Sequence, residues 1–165
     1  MNNKNDLIKE ILEIINKPKD LYVEVIREDV ELPKYAHDGD AGMDIRAAVD
    51  VVINALDTVV VPTGLKIAIP DGYEIQVRPR SGLSLKTALR IPNSPGTIDS
   101  GYRDELGIIV HNSHTKDNLE IKKGDRIAQI VLNKYEQINL VRVDKNQLDK
   151  IGHNRDGGFG SSGIK

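Results

Sequence analysis

The chain has 165 residues, a formal net charge of −2 at pH 7 and no Cys. This length fits one domain with at most a small appendage. The balanced charge excludes a strongly basic nucleic-acid coat, and the lack of Cys excludes disulfides, zinc-thiolate sites and thiol nucleophiles. No apolar run approaches the roughly 18 residues of a membrane span, and the first ten residues lack the apolar core of a signal peptide. We expect a soluble cytoplasmic protein that binds neither membrane nor nucleic acid.

An amphipathic helix is predicted at the amino terminus. Apolar residues recur at spacings of three, four and seven over residues 6–17, which places them on one stripe. Asn5 or Asp6 can cap the start, and Pro18 favours an end at Asn16 or Lys17. Because so short a helix is marginal alone, we expect it to pack on its own domain or on a sister subunit. A partner-binding arm is the alternative.

The apolar pattern changes to a period of two from Leu21 onward, which predicts strands. Ile and Val make up 34 of the 165 residues and favour the same structure. The predicted strands are residues 21–28, 57–69, 73–79, 106–113 and 138–144. No second helix is apparent, and the many Gly and Pro turns indicate a sandwich or jelly roll rather than a parallel sheet. The Gly-rich end, residues 156–163, is expected to be mobile until a ligand orders it.

Five short stretches carry residues for which a plain β-sandwich has little use. They are DAGMDIRA at 40–47, RPRSGLSLK at 78–86, NSPGTIDSGYRDEL at 93–106, GDRIAQ at 124–129 and DGGFGSSG at 156–163. In the first, Asp44 lies between Met43 and Ile45 in an alternating stretch, and a surface carboxylate is its simplest interpretation. In the fourth, we expect Asp125 and Arg126 to pair with each other.

The second and third stretches offer groups for a nucleotide. Arg80, with the hydroxyl and open backbone that follow it, suits a phosphate oxygen. Asp99, on a turn after Pro-Gly, can orient and deprotonate a water. Tyr102 can pack against a sugar or base, and the amide of Asn93 can donate and accept at a base edge. Phe159 is the only Phe and has no local core, so it must dock elsewhere or stack on a ligand.

In their order and spacing, the five motifs AGMDIRA, RPRSGLSLK, GTIDSGYRDEL, GDRIAQ and GGFGSSG resemble those of the trimeric dUTPase (deoxyuridine 5′-triphosphate nucleotidohydrolase) family. The resemblance covers about residues 21–163 and omits the amino-terminal helix. It implies an all-β, distorted jelly roll, to which the predicted amino-terminal amphipathic helix is an addition. The implied domains are a helical extension at 1–20, a catalytic β domain at 21–150 and a mobile lid at 151–165.

The resemblance also implies an activity and an assembly. The activity is hydrolysis of dUTP to dUMP and pyrophosphate, by attack of water on the α-phosphorus with Mg²⁺ on the triphosphate. The assembly is a homotrimer whose sites lie between subunits. Asp99 would activate the water, Tyr102 would support the sugar and exclude ribose, and Asp44 would hold the metal through water. The four His residues would have no catalytic or metal role.

The substrate-binding residues implied by the resemblance come from four motifs. They are Arg80, Ser81, Gly82, Asn93, Gly96, Ile98, Tyr102, Gln129, Arg155, Phe159, Gly160, Ser161 and Ser162. Arg80, Ser81, Gly82 and Gln129 match phosphate-binding positions, with Ser81 near the α–β bridge. Asn93 and the backbone of its hairpin match the positions that read uracil, and Phe159 matches an aromatic that closes over the base.

Two positions depart from the family pattern. Arg155 lies four residues before Phe159, where the family usually has five, which alters its approach to the γ-phosphate. Asp104 replaces a common Gly, and we expect it to face solvent.

Two rival functions stay open. A dCTP deaminase shares the fold, but RSGLS and TIDSGY fit dUTP hydrolysis better. A non-catalytic trimeric binding module is disfavoured by the intact Asp99, Tyr102, Ser81 and Arg80.

Overall fold

The structure is a computed structural model that describes residues 2–153. The chain forms two units, Met1–Tyr135 and Glu136–Lys165. Within the described residues, the first unit holds every strand and both α-helices, and the second holds one 3₁₀ turn at Leu148–Lys150. Neither α-helix in this part of the chain has the length and apolar content of a membrane span.

The amino-terminal helix α1 spans Asn2–Asn16, so it starts earlier than predicted and ends where Pro18 requires. Its apolar residues remain between 44 % and 64 % exposed. They are Leu7, Ile8, Ile11, Leu12, Ile14 and Ile15. The expected packing on its own domain is therefore not observed, and contact with a sister subunit or another partner stays a prediction.

Eleven strands occupy the described part of the first unit. They are β1 (Tyr22–Val25), β2 (Met43–Arg46), β3 (Val51–Ile53), β4 (Thr58–Pro62), β5 (Leu65–Ala68), β6 (Tyr73–Arg78), β7 (Leu89–Arg90), β8 (Gly96–Ile98), β9 (Gly107–Asn112), β10 (Leu119–Ile121) and β11 (Arg126–Lys134). A short helix, α2 (Ser81–Lys86), joins β6 to β7. The expectation that no second helix would occur was wrong.

Every strand pairing is antiparallel. The strands form sheets in the orders β1-β5, β10-β3, β2-β11-β6-β8 and β4-β9-β7. Their inner faces enclose one aliphatic core. Its fully buried side chains include Ile45, Ile53, Val61, Leu65, Ile75, Leu106, Ile108, Val110, Ile127 and Ile130. The all-β jelly roll with an added amino-terminal helix is confirmed.

One predicted strand is absent. Apolar and polar residues alternate over 138–144 as they would in a strand. The structure shows no strand pairing there, and Ile138, Leu140 and Val141 are exposed. Alternation shows which face a segment would bury but does not supply a partner strand. The predicted run 57–69 is also divided, by a turn at Thr63 and Gly64, into β4 and β5.

The carboxylate of Glu105 ties together three connections between strands. It accepts hydrogen bonds from Nε and Nη2 of Arg27, each at 2.9 Å, and from the N–H of Gly64 at 2.8 Å. The hydrogen bond from Arg27 is the main reason that the pKa of Glu105 lies below its ordinary value. Partial burial opposes this effect, and the Gly64 N–H adds to it. The ionised carboxylate therefore stabilises the folded state.

We predict that Glu105→Gln lowers the melting temperature at pH 7 by a few degrees. Because the folded pKa is the lower one, the stabilisation is complete above the ordinary Glu pKa of about 4.3 and is lost as the pH falls through the folded value. The difference between native and variant melting temperatures should stay constant from about pH 7 to pH 5. It should become smaller as the pH falls below about 4. Glu31→Gln, at an exposed carboxylate 4.0 Å from Arg46, is the control and should show little effect. A melting-temperature difference that increases at acidic pH would contradict the stabilising role of the ionised Glu105 carboxylate.

Candidate active site

Four of the five motifs meet on one sheet. In the order β2-β11-β6-β8, the first strand carries Asp44, the second carries Gln129, the third leads into Arg80, and the fourth leads into Asp99. The motifs are far apart in the chain, and the pairing of these strands places them on one sheet. The sheet is the scaffold of the candidate site.

The register aligns three polar residues across neighbouring strands. Gln129 lies opposite Asp44 on one side and opposite Arg78 on the other. Met43 and Ile45 both contribute to the core, so the alternation of the strand directs Asp44 to the opposite face. This arrangement gives the carboxylate a structural context that the sequence alone left open.

The side chain of Asp44 is held by two guanidinium groups. Nε of Arg80 donates to Oδ1 at 2.7 Å, and Nη1 of Arg126 donates to Oδ2 at 3.1 Å. The side chains of Asp44 and Arg80 are 29 % and 23 % exposed, and that of Arg126 is 50 % exposed. The expected pair of Asp125 with Arg126 was wrong, because Oδ2 of Asp125 instead accepts the N–H of Lys122 at 2.8 Å. The cluster joins the first, second and fourth motifs.

Gln129 is fixed beside this cluster. Its Nε2 donates to the carbonyl of Pro79 at 2.9 Å. A Cβ built on Gly42 would lie 2.7 Å from Oε1 of Gln129, so a side chain at position 42 would displace the amide. The Gly of the first motif thus makes room for the Gln of the fourth, a relation that only the register of β2 and β11 reveals.

Ser81 and Gly82 are exposed and open α2, with Arg80 as the preceding residue in an extended conformation. The hydroxyl and the open backbone that follow Arg80 therefore belong to the first turn of a short helix. They directly follow the Arg80 side chain, which is anchored on Asp44. The second motif thus places a guanidinium, a hydroxyl and backbone N–H groups in succession directly after β6.

The hairpin of the third motif is closely packed at its start. A Cβ on Gly96 would lie 2.9 Å from Nδ2 of Asn93, so Gly lets the amide approach the backbone. Ile98 pairs with Ile75 of β6, and Gly96 pairs with Val77. The backbone of this hairpin is therefore held by a buried strand.

Asp99 and Tyr102 lie on the turn that follows β8. The N–H of Tyr102 donates to the carbonyl of Asp99 at 3.1 Å, and its hydroxyl donates to the carbonyl of Glu105 at 3.0 Å. The Asp99 side chain is exposed, and so is Asp104, as expected. This hydrogen-bonded turn thus presents the accessible carboxylate of Asp99 close to the ring of Tyr102.

Asp99 and Asp44 lie at distant points of the same sheet. Asp99 follows Ile98, which pairs with Ile75 near the start of β6, whereas Asp44 shares a row with Arg78 at the end of β6. Strands rise about 3.3 Å per residue and lie about 4.8 Å apart, which gives roughly 13 Å along the strands and roughly 14 Å across them. The two backbone positions are therefore separated by roughly 20 Å.

The remaining predicted site residues fall outside the described part of the chain. They are Arg155, Phe159, Gly160, Ser161 and Ser162. Within residues 2–153, no cluster of three or more His, Asp or Glu side chains could hold a metal ion.

The chain is similar to one protein family over most of its length. The family's sequence model, dUTPase, matches residues 28–163. The deoxyuridine 5′-triphosphate nucleotidohydrolase of Fusobacterium nucleatum subsp. nucleatum is 49 % identical over 148 residues, which cover 88 % of this chain and 99 % of the relative. The enzyme of the same name from Clostridium tetani is 43 % identical over 143 residues, 87 % of this chain and 96 % of the relative.

Solved structures show the same likeness. A mutant dUTPase of Staphylococcus bacteriophage 80alpha with dUpNHpp has a TM-score of 0.78 and 29 % identity, over 89 % of this chain and all of that one. A mutant dUTPase of phage phi11 of S. aureus, which shows the coordination of a structural Mg(II) ion, has a TM-score of 0.72 and 29 % identity, over 78 % and 99 % of the two chains. The family match, the identity of the relatives and the shared fold agree, and the chain belongs to the dUTPase family.

Proposed function

We propose that this protein hydrolyses dUTP to dUMP and pyrophosphate. The observation that carries the proposal is the placement of four motifs on one sheet, with an Arg-bearing cluster at one end and the accessible carboxylate of Asp99 at the other. Relatives named for the same reaction, at 43 % to 49 % identity, support it. A nucleoside triphosphate is too highly charged to cross a bilayer, so the reaction belongs in the cytoplasm, where nucleotides are held.

The second and fourth motifs bind the phosphates in this proposal. Arg80 neutralises phosphate charge, and Ser81 and Gly82 place a hydroxyl and backbone N–H groups next to it. Gln129 adds an amide from the neighbouring strand. Arg80 is anchored on Asp44, so little side-chain motion has to be lost when the nucleotide binds.

The third motif reads the nucleoside. The amide of Asn93, with the hairpin backbone from Gly96 to Ile98, matches the donors and acceptors of uracil and opposes the reversed pattern of cytosine. The ring of Tyr102 supports the deoxyribose and leaves no space for a 2′-hydroxyl. Because the hairpin is paired to β6, these groups are fixed before the substrate arrives.

Asp99 orients the attacking water and accepts its proton. The water oxygen forms a bond to the α-phosphorus, and the bond from that phosphorus to the α–β bridging oxygen breaks. Pyrophosphate leaves with the bonding electrons. Charge neutralisation by Arg80 and in-line positioning supply most of the acceleration, as is usual in phosphoryl transfer.

The donor groups fit a Mg²⁺ ion carried by the triphosphate. Each oxygen of Asp44 accepts one guanidinium N–H and keeps a lone pair for a bridging water. Mg²⁺ retains several waters and favours phosphate oxygens, so it needs no cage of protein ligands. When bound, the ion neutralises charge on the phosphates.

The 151–165 segment acts as a lid in this proposal. Phe159 stacks on the uracil, and Arg155, Gly160, Ser161 and Ser162 contact the phosphates. Ordering a Gly-rich segment costs about 1–2 kcal/mol per residue, so its closure would depend on the ligand. The helical extension at 1–20 and the catalytic domain at 21–150 complete the proposed organisation.

The separation of Asp99 and Asp44 supports a site that is shared between subunits. The guanidinium of Arg80 is anchored on Asp44, so it too is far from Asp99 of the same chain. Both groups must come within a few ångström of the reacting phosphates. One chain therefore does not complete the site, and we propose a homotrimer in which neighbouring chains combine these residues.

A nucleotide panel tests the proposed function. With Mg²⁺ present, release of pyrophosphate is measured for dUTP, dCTP, dTTP and UTP, and ammonia is measured in parallel. We expect rapid pyrophosphate release from dUTP alone. Ammonia from dCTP would favour a deaminase, and binding without turnover of any nucleotide would favour a non-catalytic module.

We predict that Asp99→Asn binds a non-hydrolysable dUTP analogue with near-native affinity but loses most of its turnover. The change keeps the shape and removes the base, whose contribution is typically 10²- to 10⁴-fold in rate. Calorimetry and single-turnover kinetics measure the two effects separately. Asp104→Asn, at a neighbouring exposed carboxylate, is the matched control and should keep kcat. A native kcat in Asp99→Asn would contradict the assignment of Asp99 as the general base.

Mixed trimers test the shared site. Asp99→Asn and Arg80→Ala chains, each inactive alone, are unfolded together and refolded at equal amounts. If each site takes Asp99 and Arg80 from different chains, random mixing should restore about one quarter of the native activity.

The control mixture combines Arg80→Ala with Gln129→Ala. These two residues lie beside each other in the same chain, so every site would lack one of them and no activity should be recovered. Equal failure of both mixtures, with mixing verified by mass, would exclude the shared site. A monomer in sedimentation would exclude the trimer.

A further inference from the structure

Arg126 contacts the proposed phosphate-binding apparatus without being part of it. Its Nη1 donates to Oδ2 of Asp44 at 3.1 Å, and Oδ1 of the same carboxylate receives Nε of Arg80 at 2.7 Å. The carbonyl of Arg126 also accepts Nη1 of Arg80 at 3.3 Å. Asp44 therefore bridges two guanidinium groups from different motifs.

We propose that Arg126 is a positioning residue that sets the orientation of Arg80 through Asp44. This inference rests on the proposed function, because it concerns the phosphate-binding role of Arg80. Arg126 does not itself have to touch the nucleotide.

The geometry of the carboxylate explains the effect. An Arg and a carboxylate prefer two parallel hydrogen bonds, which use both carboxylate oxygens and two guanidinium nitrogens. Here Oδ2 accepts Nη1 of Arg126, and Arg80 makes a single bond to the carboxylate, from Nε to Oδ1. Arg126 therefore competes with Arg80 for Oδ2. Neither terminal nitrogen of Arg80 bonds to Asp44. Nη1 donates one N–H to the carbonyl of Arg126, and the other terminal N–H groups can donate to phosphate oxygens.

Loss of Arg126 would release Oδ2. Arg80 could then close a two-bond pair with Asp44 and turn a terminal nitrogen away from the phosphates. The side chains of Asp44 and Arg80 are partly buried, whereas that of Arg126 is half exposed. Removal of the Arg126 side chain should therefore alter the orientation of Arg80 with little effect on folding.

Arg46 provides a matched control. It lies opposite Arg126 in the register of β2 and β11 and has a similar exposure. Its guanidinium donates to the carbonyl of Gly124 and lies 4.0 Å from Glu31, and it makes no bond to Asp44. Arg46→Met removes the same charge from the same part of the sheet and leaves the Asp44 bridge intact.

The experiment measures binding of a non-hydrolysable dUTP analogue with Mg²⁺ by calorimetry. We expect Arg126→Met to weaken binding about tenfold and Arg46→Met to change it less than about twofold, with nearly native melting temperatures. Arg126→Lys keeps the charge and one donor, so it should recover part of the affinity.

A double-mutant cycle identifies the route of the effect. If Arg126 acts through Arg80, the double variant Arg80→Met/Arg126→Met should bind no more weakly than Arg80→Met alone. The inference would be overturned if the double variant lost affinity by the product of the two single-variant losses. Native affinity in Arg126→Met would also overturn it. Failure of the native protein to release pyrophosphate from dUTP would instead contradict the proposed function, which is measured separately.

Discussion

The register of the β2-β11-β6-β8 sheet is the constraint on which the site depends. It places Gln129 between Asp44 and Arg78, and it fixes Asp99 at the far end of β8. Buried strands hold these positions, so a single chain cannot bring Asp99 to Arg80 by small movements. In the proposed function, the same rigid sheet orients the phosphate-binding groups and makes the active site depend on assembly.

Much of the fold follows from the period-two pattern, and the exceptions have physical causes. The strands β1, β6 and β9 lie within predicted runs. The longest strand, β11, was missed because it is buried on both faces and reads as a nearly continuous apolar run. The segment 138–144 was wrongly predicted because alternation cannot show whether a partner strand exists. The start of α1 extends beyond its apolar stripe into polar residues that carry no periodic signal.

The candidate site residues were predicted from the order of the motifs, but their contacts were not. Adjacent charges made a pair of Asp125 with Arg126 plausible, whereas the structure directs Arg126 across the sheet to Asp44. Likewise, Asn112 lies within the predicted strand 106–113, and its buried amide donates to the carbonyls of Ile53, Asn54 and Asp117. Such contacts depend on which strands become neighbours, and a single sequence carries no direct signal for that.

A structure of the assembled protein with a non-hydrolysable dUTP analogue and Mg²⁺ would show whether each active site is shared between subunits. The decisive measurement is the identity of the chains whose Asp99 and Arg80 lie nearest the α-phosphorus of each bound nucleotide. The account predicts Asp99 from one subunit and Arg80 from its neighbour at every site. A nucleotide contacted by Asp99 and Arg80 of the same chain would contradict it.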